Sequence, residues 1–127
     1  MIFEHFAINV PNPLEIAKWY TSYCEMKIVK SLAVPPFTHF LADSSGRSVI
    51  EIYSNLSVKI PDYNSLHPLE FHFAFKVKDI SETKEKLVSA GAKLLEDVTS
   101  EDGSHFVMLR DPFGIPLQLC KRAAPLI

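Results

Sequence analysis

The chain has 127 residues, 47% of them hydrophobic and 22% charged, the balance of a soluble globular protein long enough to bury a core without disulfide or metal staples. A net charge of −2 and a pI near 6.2 exclude a basic footprint for nucleic acid or an anionic membrane, and no run approaches the ~18–20 apolar residues of a membrane span. The opening MIFEHFAINV carries no basic n-region or cleavage site, and Cys24 and Cys120 have no framework spacing, so the expectation is a reduced cytoplasmic protein.

Residues 2–10 alternate, with Phe6, Ile8 and Val10 on one face and His5, Ala7 and Asn9 on the other, which predicts a strand. Asn12-Pro13 supplies an N-cap and a first-turn proline, and a helix follows to about Tyr23, with Leu14, Ala17 and Tyr20 at helical spacing. Residues 26–34 predict a second strand, broken by Pro35-Pro36. Segments 37–43 and 47–54 predict a hairpin around Ser44-Ser45-Gly46. Residues 55–68, with Pro61, Asn64, Ser65 and Pro68, form a long connection, and long connections are often functional.

The pattern then restarts. A strand is predicted at 70–77, and Asp79 or Ser81 caps a helix ending at the C′ glycine Gly91. Residues 92–98 predict a strand and 99–104 a polar turn. Strands at about 105–110 and 115–121 flank the turn Asp111-Pro112-Phe113-Gly114. The expectation is a single α+β domain of two βαβββ modules, 1–57 and 69–123, in pseudo-twofold arrangement around a cleft.

Metal-ligand side chains repeat with the modules. His5 and Glu51 stand 46 residues apart, as do His72 and Gln118, and an offset of 67 carries the first pair onto the second. The same offset maps Ala7 onto Ala74, Val10 onto Val77 and Asn12 onto Asp79. Two imidazoles, a carboxylate and an amide oxygen suit a first-row divalent metal. Strand alternation puts each of the four opposite a uniformly apolar face: His5 opposite Phe6 and Ile8, Glu51 opposite Ile50 and Ile52, His72 opposite Phe71 and Phe73, Gln118 opposite Leu117 and Leu119. The apolar face fits beneath a helix, and the ligand set faces away from it. Taken singly, each of these residues is better explained as an ordinary solvent-facing or hydrogen-bonded side chain; the shared spacing is what joins them.

Three stretches resemble the vicinal oxygen chelate superfamily of glyoxalases, extradiol dioxygenases, methylmalonyl-CoA epimerase, fosfomycin resistance enzymes and bleomycin-binding proteins. They are the His5 strand with its helix bearing Trp19-Tyr20, the segment Ser48-Val49-Ile50-Glu51-Ile52, and the closing Asp111-Pro112-Phe113-Gly114-Ile115-Pro116-Leu117-Gln118-Leu119. The resemblance implies paired βαβββ modules with metal at the first, fourth, fifth and eighth strands, matching His5, Glu51, His72 and Gln118. The chain departs from many relatives in carrying Gln, not Glu, on the closing strand. It also has Asn9 where bacterial glyoxalase I has an arginine, which weakens a glutathione substrate, while Asn55 is kept.

The function this implies is a glyoxalase-like lyase, isomerase or epimerase. A divalent ion (Ni, Co, Zn, Mn or Fe) chelates two adjacent substrate oxygens and stabilises an enolate-like intermediate, with Glu51 as ligand and base. Asn9, Tyr53, Asn55, His39 and His105 are the further substrate-binding candidates, Trp19 is core, and Cys120 has no basic neighbour to mark it as a nucleophile. The alternatives are a small dioxygenase with His5, His72 and Glu51 as an iron triad, a bleomycin-resistance-type binder that sequesters a small molecule without catalysis, and a degenerate interaction module. The resemblance also implies a homodimer, in which His5 and Glu51 could share a site with the partner's copy of the other two ligands.

Overall fold

A computed structural model describes residues 1–47 and 49–127; Ser48, which opens one of the resembling segments, lies outside the described residues. The chain divides into two compact units, Met1–Pro61 and Asp62–Ile127. Unit 1 contains β1 (Phe6–Asn9), α1 (Pro13–Tyr23), β2 (Lys27–Ser31), β3 (His39–Ala42) and β4 (Val49–Tyr53). Unit 2 repeats the order with β5 (Phe73–Lys76), α2 (Ile80–Ser89), β6 (Lys93–Thr99), β7 (His105–Arg110) and β8 (Pro116–Lys121). The sheet orders are β1-β4-β3-β2 and β5-β8-β7-β6. In each, the first strand runs parallel to the last and the other pairings are antiparallel.

Each helix covers one face of its own sheet, α1 against β2, β3 and β4 and α2 against β7 and β8. The covered face is the apolar one. Ile8, Leu41, Ile50 and Ile52 are buried in unit 1, as are Val107, Leu109, Leu117 and Leu119 in unit 2. On α1 the inward stripe is Pro13, Ile16, Ala17 and Tyr20, with Trp19 also buried. Leu14, expected in that stripe, is half exposed. Asn12 occupies the N-cap position, but its side chain makes no capping hydrogen bond; Pro13 sets the first turn instead. On α2 the cap is Asp79, whose carboxylate accepts from the Glu82 amide at 2.9 Å. Gly91, at φ +98°, follows the Ala90 C-cap.

The Asp-Pro-Phe-Gly turn explains itself chemically. Buried Asp111 accepts from the amides of Phe113 (2.9 Å) and Ile115 (2.8 Å), closing the turn that launches β8. Gly114 sits at φ +91°, and a Cβ there would fall 2.6 Å from the Asn64 side chain, so only glycine fits. The segment before β5, expected as a long loop, is tied down within unit 2. Tyr63 is buried, and the Arg110 guanidinium donates to the carbonyls of Tyr63, Leu66 (2.8 Å) and Gly114 (2.9 Å).

Candidate functional site

β1 is shorter than its sequence pattern, which predicts a strand from residue 2, and His5 stands one residue ahead of it. The β1–β4 ladder pairs Phe6 with Ile50 and Ala7 with Glu51. Glu51 therefore points to the front of the sheet, away from α1, between the buried Ile50 and Ile52. His5 turns to the same side, its Nε2 3.2 Å from Glu51 Oε2. The Phe40 ring, which pairs with Glu51 across β3–β4, meets the imidazole edge-on with centroids 5.8 Å apart. On the far side of the imidazole, Nδ1 is 2.5 Å from a Glu4 carboxylate oxygen. A neutral ring that donates Nδ1–H to Glu4 leaves its Nε2 lone pair on Glu51's side of the sheet.

Unit 2 repeats the arrangement with different partners. His72 likewise precedes its strand, β5, which was expected from residue 70. Its Nδ1 lies 2.7 Å from the Pro68 carbonyl oxygen, which can only accept, so Nε2 again carries the lone pair of the neutral ring. Gln118 pairs with Ala74 on one side and Met108 on the other, on the face turned from α2. The Cys120 thiol donates to Gln118 Oε1 at 3.1 Å. Burial pushes that thiol up from its ordinary pKa, with Arg122 opposing, which keeps it protonated as a donor.

Of the five further candidates, Tyr53 alone keeps a plain place at the front, two residues past Glu51 on its face and half-buried. Asn9 is buried and committed to the backbone: its Nδ2 donates to the Asn55 carbonyl at 2.9 Å and its Oδ1 accepts from the Asn55 amide at 2.8 Å. The Asn55 side chain is turned to Ser57, accepting from its amide and hydroxyl, at the rim of a shallow apolar hollow it shares with Pro35, Pro36, Phe37 and Leu56. His39 pairs with Ile52 and is 6% exposed, so it lies on the α1 side, donating Nδ1 to the Phe37 carbonyl. His105 falls on the α2 side of unit 2, in register with Thr99, and bonds Asp97. Asp97 also takes Lys84 at 2.6 Å, and these two hydrogen bonds, Lys84's first, hold its carboxyl below its usual range. His39 and His105 therefore do not share the faces of Glu51 and Gln118.

Two protein donors on one ion, each about 2.1 Å from it at tetrahedral or octahedral angles, stand roughly 3.0–3.4 Å apart. The His5–Glu51 separation fits that interval, and both histidines present Nε2 with Nδ1 already bonded, as metal-ligating imidazoles do. The donor chemistry thus suits a divalent cation. Among the described residues, no three of His, Cys, Asp and Glu come together as a metal-holding group.

Sequence reasoning passed over Glu4, Phe40 and Arg110. Glu4 was hidden by strand alternation, which sends neighbours of a strand residue to the opposite face; residue 5 precedes the strand and is free of that rule. Arg110 carries no local signal, because its three carbonyl partners are defined only by the fold.

The family model described as the Glyoxalase/Bleomycin resistance protein/Dioxygenase superfamily matches residues 2–119. Among solved structures, the chain is similar to a glyoxalase family protein from Bacillus cereus (TM-score 0.79, 20% identity, 94% of this chain and 93% of that one). It is also similar to the fosfomycin resistance protein FosX from Listeria monocytogenes (TM-score 0.73, 16% identity, 99% and 94%). A third similar structure is TnmS3, an antibiotic binding protein from Streptomyces sp. CB03234 (TM-score 0.73, 11% identity, 94% and 94%). No curated protein matches the chain. No helix among the described residues is long and apolar enough to cross a membrane. With one model spanning both βαβββ units, the chain belongs to the glyoxalase/bleomycin resistance protein/dioxygenase superfamily.

Proposed function

We propose that the protein is a metal-dependent lyase or isomerase of the glyoxalase type, acting in the cytoplasm on a small molecule with two adjacent oxygens. The observation that carries this reading is the contact between His5 Nε2 and Glu51 Oε2 at 3.2 Å on the front of unit 1. The holding residues would be His5 and Glu51 with His72 and Gln118, from one chain or from two chains of a homodimer. Ni, Co, Zn, Mn and Fe all suit the set. When bound, such an ion supplies Lewis-acid polarisation of the substrate's paired oxygens.

The rest falls to this chain's own groups. Glu51 takes the proton from the carbon beside the substrate carbonyl and returns it to a neighbouring atom, a role worth about 10²–10⁴-fold in rate. Glu4 holds the His5 ring in one tautomer. Phe40 and Tyr53 flank Glu51 and limit water around its carboxylate. Gln118 is uncharged, which leaves Glu51 as the single carboxylate of the set and favours an isomerase-type transfer by one base.

A second reading, a binder that sequesters a small molecule, is favoured by the similarity to TnmS3, an antibiotic binding protein. Elemental analysis of purified protein, with turnover of a panel of α-hydroxycarbonyl and thiohemiacetal substrates, separates the two. The enzyme reading expects His72→Ala to lose metal and turnover together, and Glu51→Gln to lower kcat by about 10²-fold or more. Metal-free protein that turns over nothing yet retains an apolar drug after His72→Ala would overturn it.

A further inference from the structure

Each sheet carries one cross-strand row through its ligand residue. In unit 1 the row is Ala7, Glu51, Phe40, Lys30, from β1 to the outer strand β2. In unit 2 it is Ala74, Gln118, Met108, Glu96. The rows match position for position, and both reach the outer strand just past a register shift, between Ile28 and Lys30 in β2 and between Leu94 and Glu96 in β6. The shift decides the outcome. Lys27 pairs with Ala42 on the front and Ile28 with Leu41 on the back; unbroken alternation would then bring Val29 forward and send Lys30 toward α1. The extra residue re-aims Lys30 to the front, as bulges do beside binding sites.

We propose that Lys30 is the anion-recognising residue of the site, and that the substrate carries a carboxylate or similar oxyanion near its oxygen pair. This rests on the reading of the Glu51 face as the substrate face. Lys30 lies two strands from Glu51, roughly 10 Å at the usual strand spacing. Its ammonium leans over the Phe40 ring, 6.0 Å from the centroid, and that ring touches the His5 imidazole. A cation–π contact of this kind holds the charge toward the ligand pair instead of out over the sheet edge. No ion pair among the described residues involves Lys30, so its charge is available to a ligand. The matching place in unit 2 holds a carboxylate, Glu96, so only one row ends in a cation and the anion is read on the unit 1 side. Ala7, at the other end, contributes no bulk beside Glu51.

The test uses metal-loaded protein and two hydroxamate probes, neutral acetohydroxamate and the monohydroxamate of succinic acid. They share one chelating oxygen pair and differ by a carboxylate. Calorimetric titration is expected to give tighter binding of the anionic probe by roughly five- to tenfold, the scale of a part-exposed charge pair. Lys30→Gln should abolish that preference while leaving the neutral probe's affinity unchanged; Lys30→Arg should restore it and Lys30→Glu reverse it. Circular dichroism of each variant guards against loss of fold. Equal binding of the two probes by the native protein, or a preference that survives Lys30→Gln, would overturn the proposal alone. Failure of both probes to bind, or of the protein to take up metal, would overturn the functional reading beneath it as well.

Discussion

His5 reaches Glu51 diagonally, two residues past the position that faces it across the β1–β4 ladder. The ladder pairs Phe6 with Ile50, an offset of 44, two short of the 46-residue spacing of the two ligands. The β5–β8 ladder has the same offset, Phe73 with Leu117, so His72 and Gln118 stand in the same diagonal relation. Parallel partners two residues out of step share a face and remain within reach of long side chains. The repeated spacing is therefore a record of strand register. Asn9 and Asn55 obey it too, also 46 apart, with the opposite use: a side chain bonded to backbone.

Glu4 gives the first prediction. It holds His5 Nδ1, while the Pro68 carbonyl does the same for His72. Removing an outer partner of a metal-ligating histidine costs about 10–100-fold in metal affinity. Glu4→Ala is expected to weaken metal binding by that factor in a competitive chelator titration, and to mix the His5 tautomers in nitrogen-15 spectra of the metal-free protein. Glu4→Gln keeps an accepting oxygen and should restore most of both. An unchanged tautomer in Glu4→Ala would show that the ring is oriented by Phe40 and Glu51 instead.

Asn9 should behave as a stability residue. Its amide satisfies both the donor and the acceptor of one backbone residue, at a position where the residue is 8% exposed. Asn9→Ala leaves both groups short of partners and is expected to cost about 1–3 kcal/mol by urea unfolding. Asn9→Asp keeps the acceptor but sets a carboxylate against the Asn55 carbonyl, and should be worse than alanine at neutral pH. Substrate KM should change less than stability does. A large KM effect with native stability would return Asn9 to the binding site.

What the sequence made legible follows from which forces are local. The α2 cap and the stop at Gly91 depend on a few adjacent residues, so the sequence narrowed the cap to Asp79 or Ser81, of which Asp79 makes the bond, and gave the stop directly. The expected α1 stripe of Leu14, Ala17 and Tyr20 holds at Ala17 and Tyr20 but not at Leu14, because Pro13 and Ile16 are apolar too and packing on β2–β4 chose them. Faces of β1, β4 and β8 could be read from alternation against large aliphatics. The faces of His39 and His105 could not, since hairpin register sets them: His39 opposite Ile52, His105 opposite Thr99. Neither bulge carries a glycine or proline to announce it, so the turn of Lys30 to the front had no sequence signal.

Arg110 offers a test of the segment joining the halves. One guanidinium donates to three carbonyls, those of Tyr63, Leu66 and Gly114. Lysine keeps the charge but has no planar fork. Arg110→Lys should therefore lose much of what Arg110→Ala loses, about 2–4 kcal/mol for several charge-assisted bonds to part-buried carbonyls. Limited proteolysis should then cut between residues 61 and 69 faster than in the native protein. Native resistance in both variants would mean that burial of Tyr63 secures the segment unaided.

The Lys84–Asp97–His105 cluster makes a prediction in acid. Hydrogen bonds from Lys84, and then from His105, hold the Asp97 carboxyl below its ordinary range. A carboxylate whose folded pKa is depressed contributes stability that is present above its unfolded pKa and lost as pH falls through the folded one. The loss therefore belongs below about pH 4 and leaves neutral pH untouched. Because the pair with Lys84 is part-exposed, with 26% and 31% of the two side chains accessible, the contribution is expected to be roughly 1 kcal/mol or less and to shrink in high salt. Asp97→Asn should flatten that part of the stability–pH curve measured by thermal unfolding between pH 2.5 and 5. Metal affinity and turnover should stay unchanged, since Asp97 and His105 lie on the α2 side of the sheet, away from the Gln118 face. A curve as steep in Asp97→Asn as in the native protein would assign the acid sensitivity to other carboxylates.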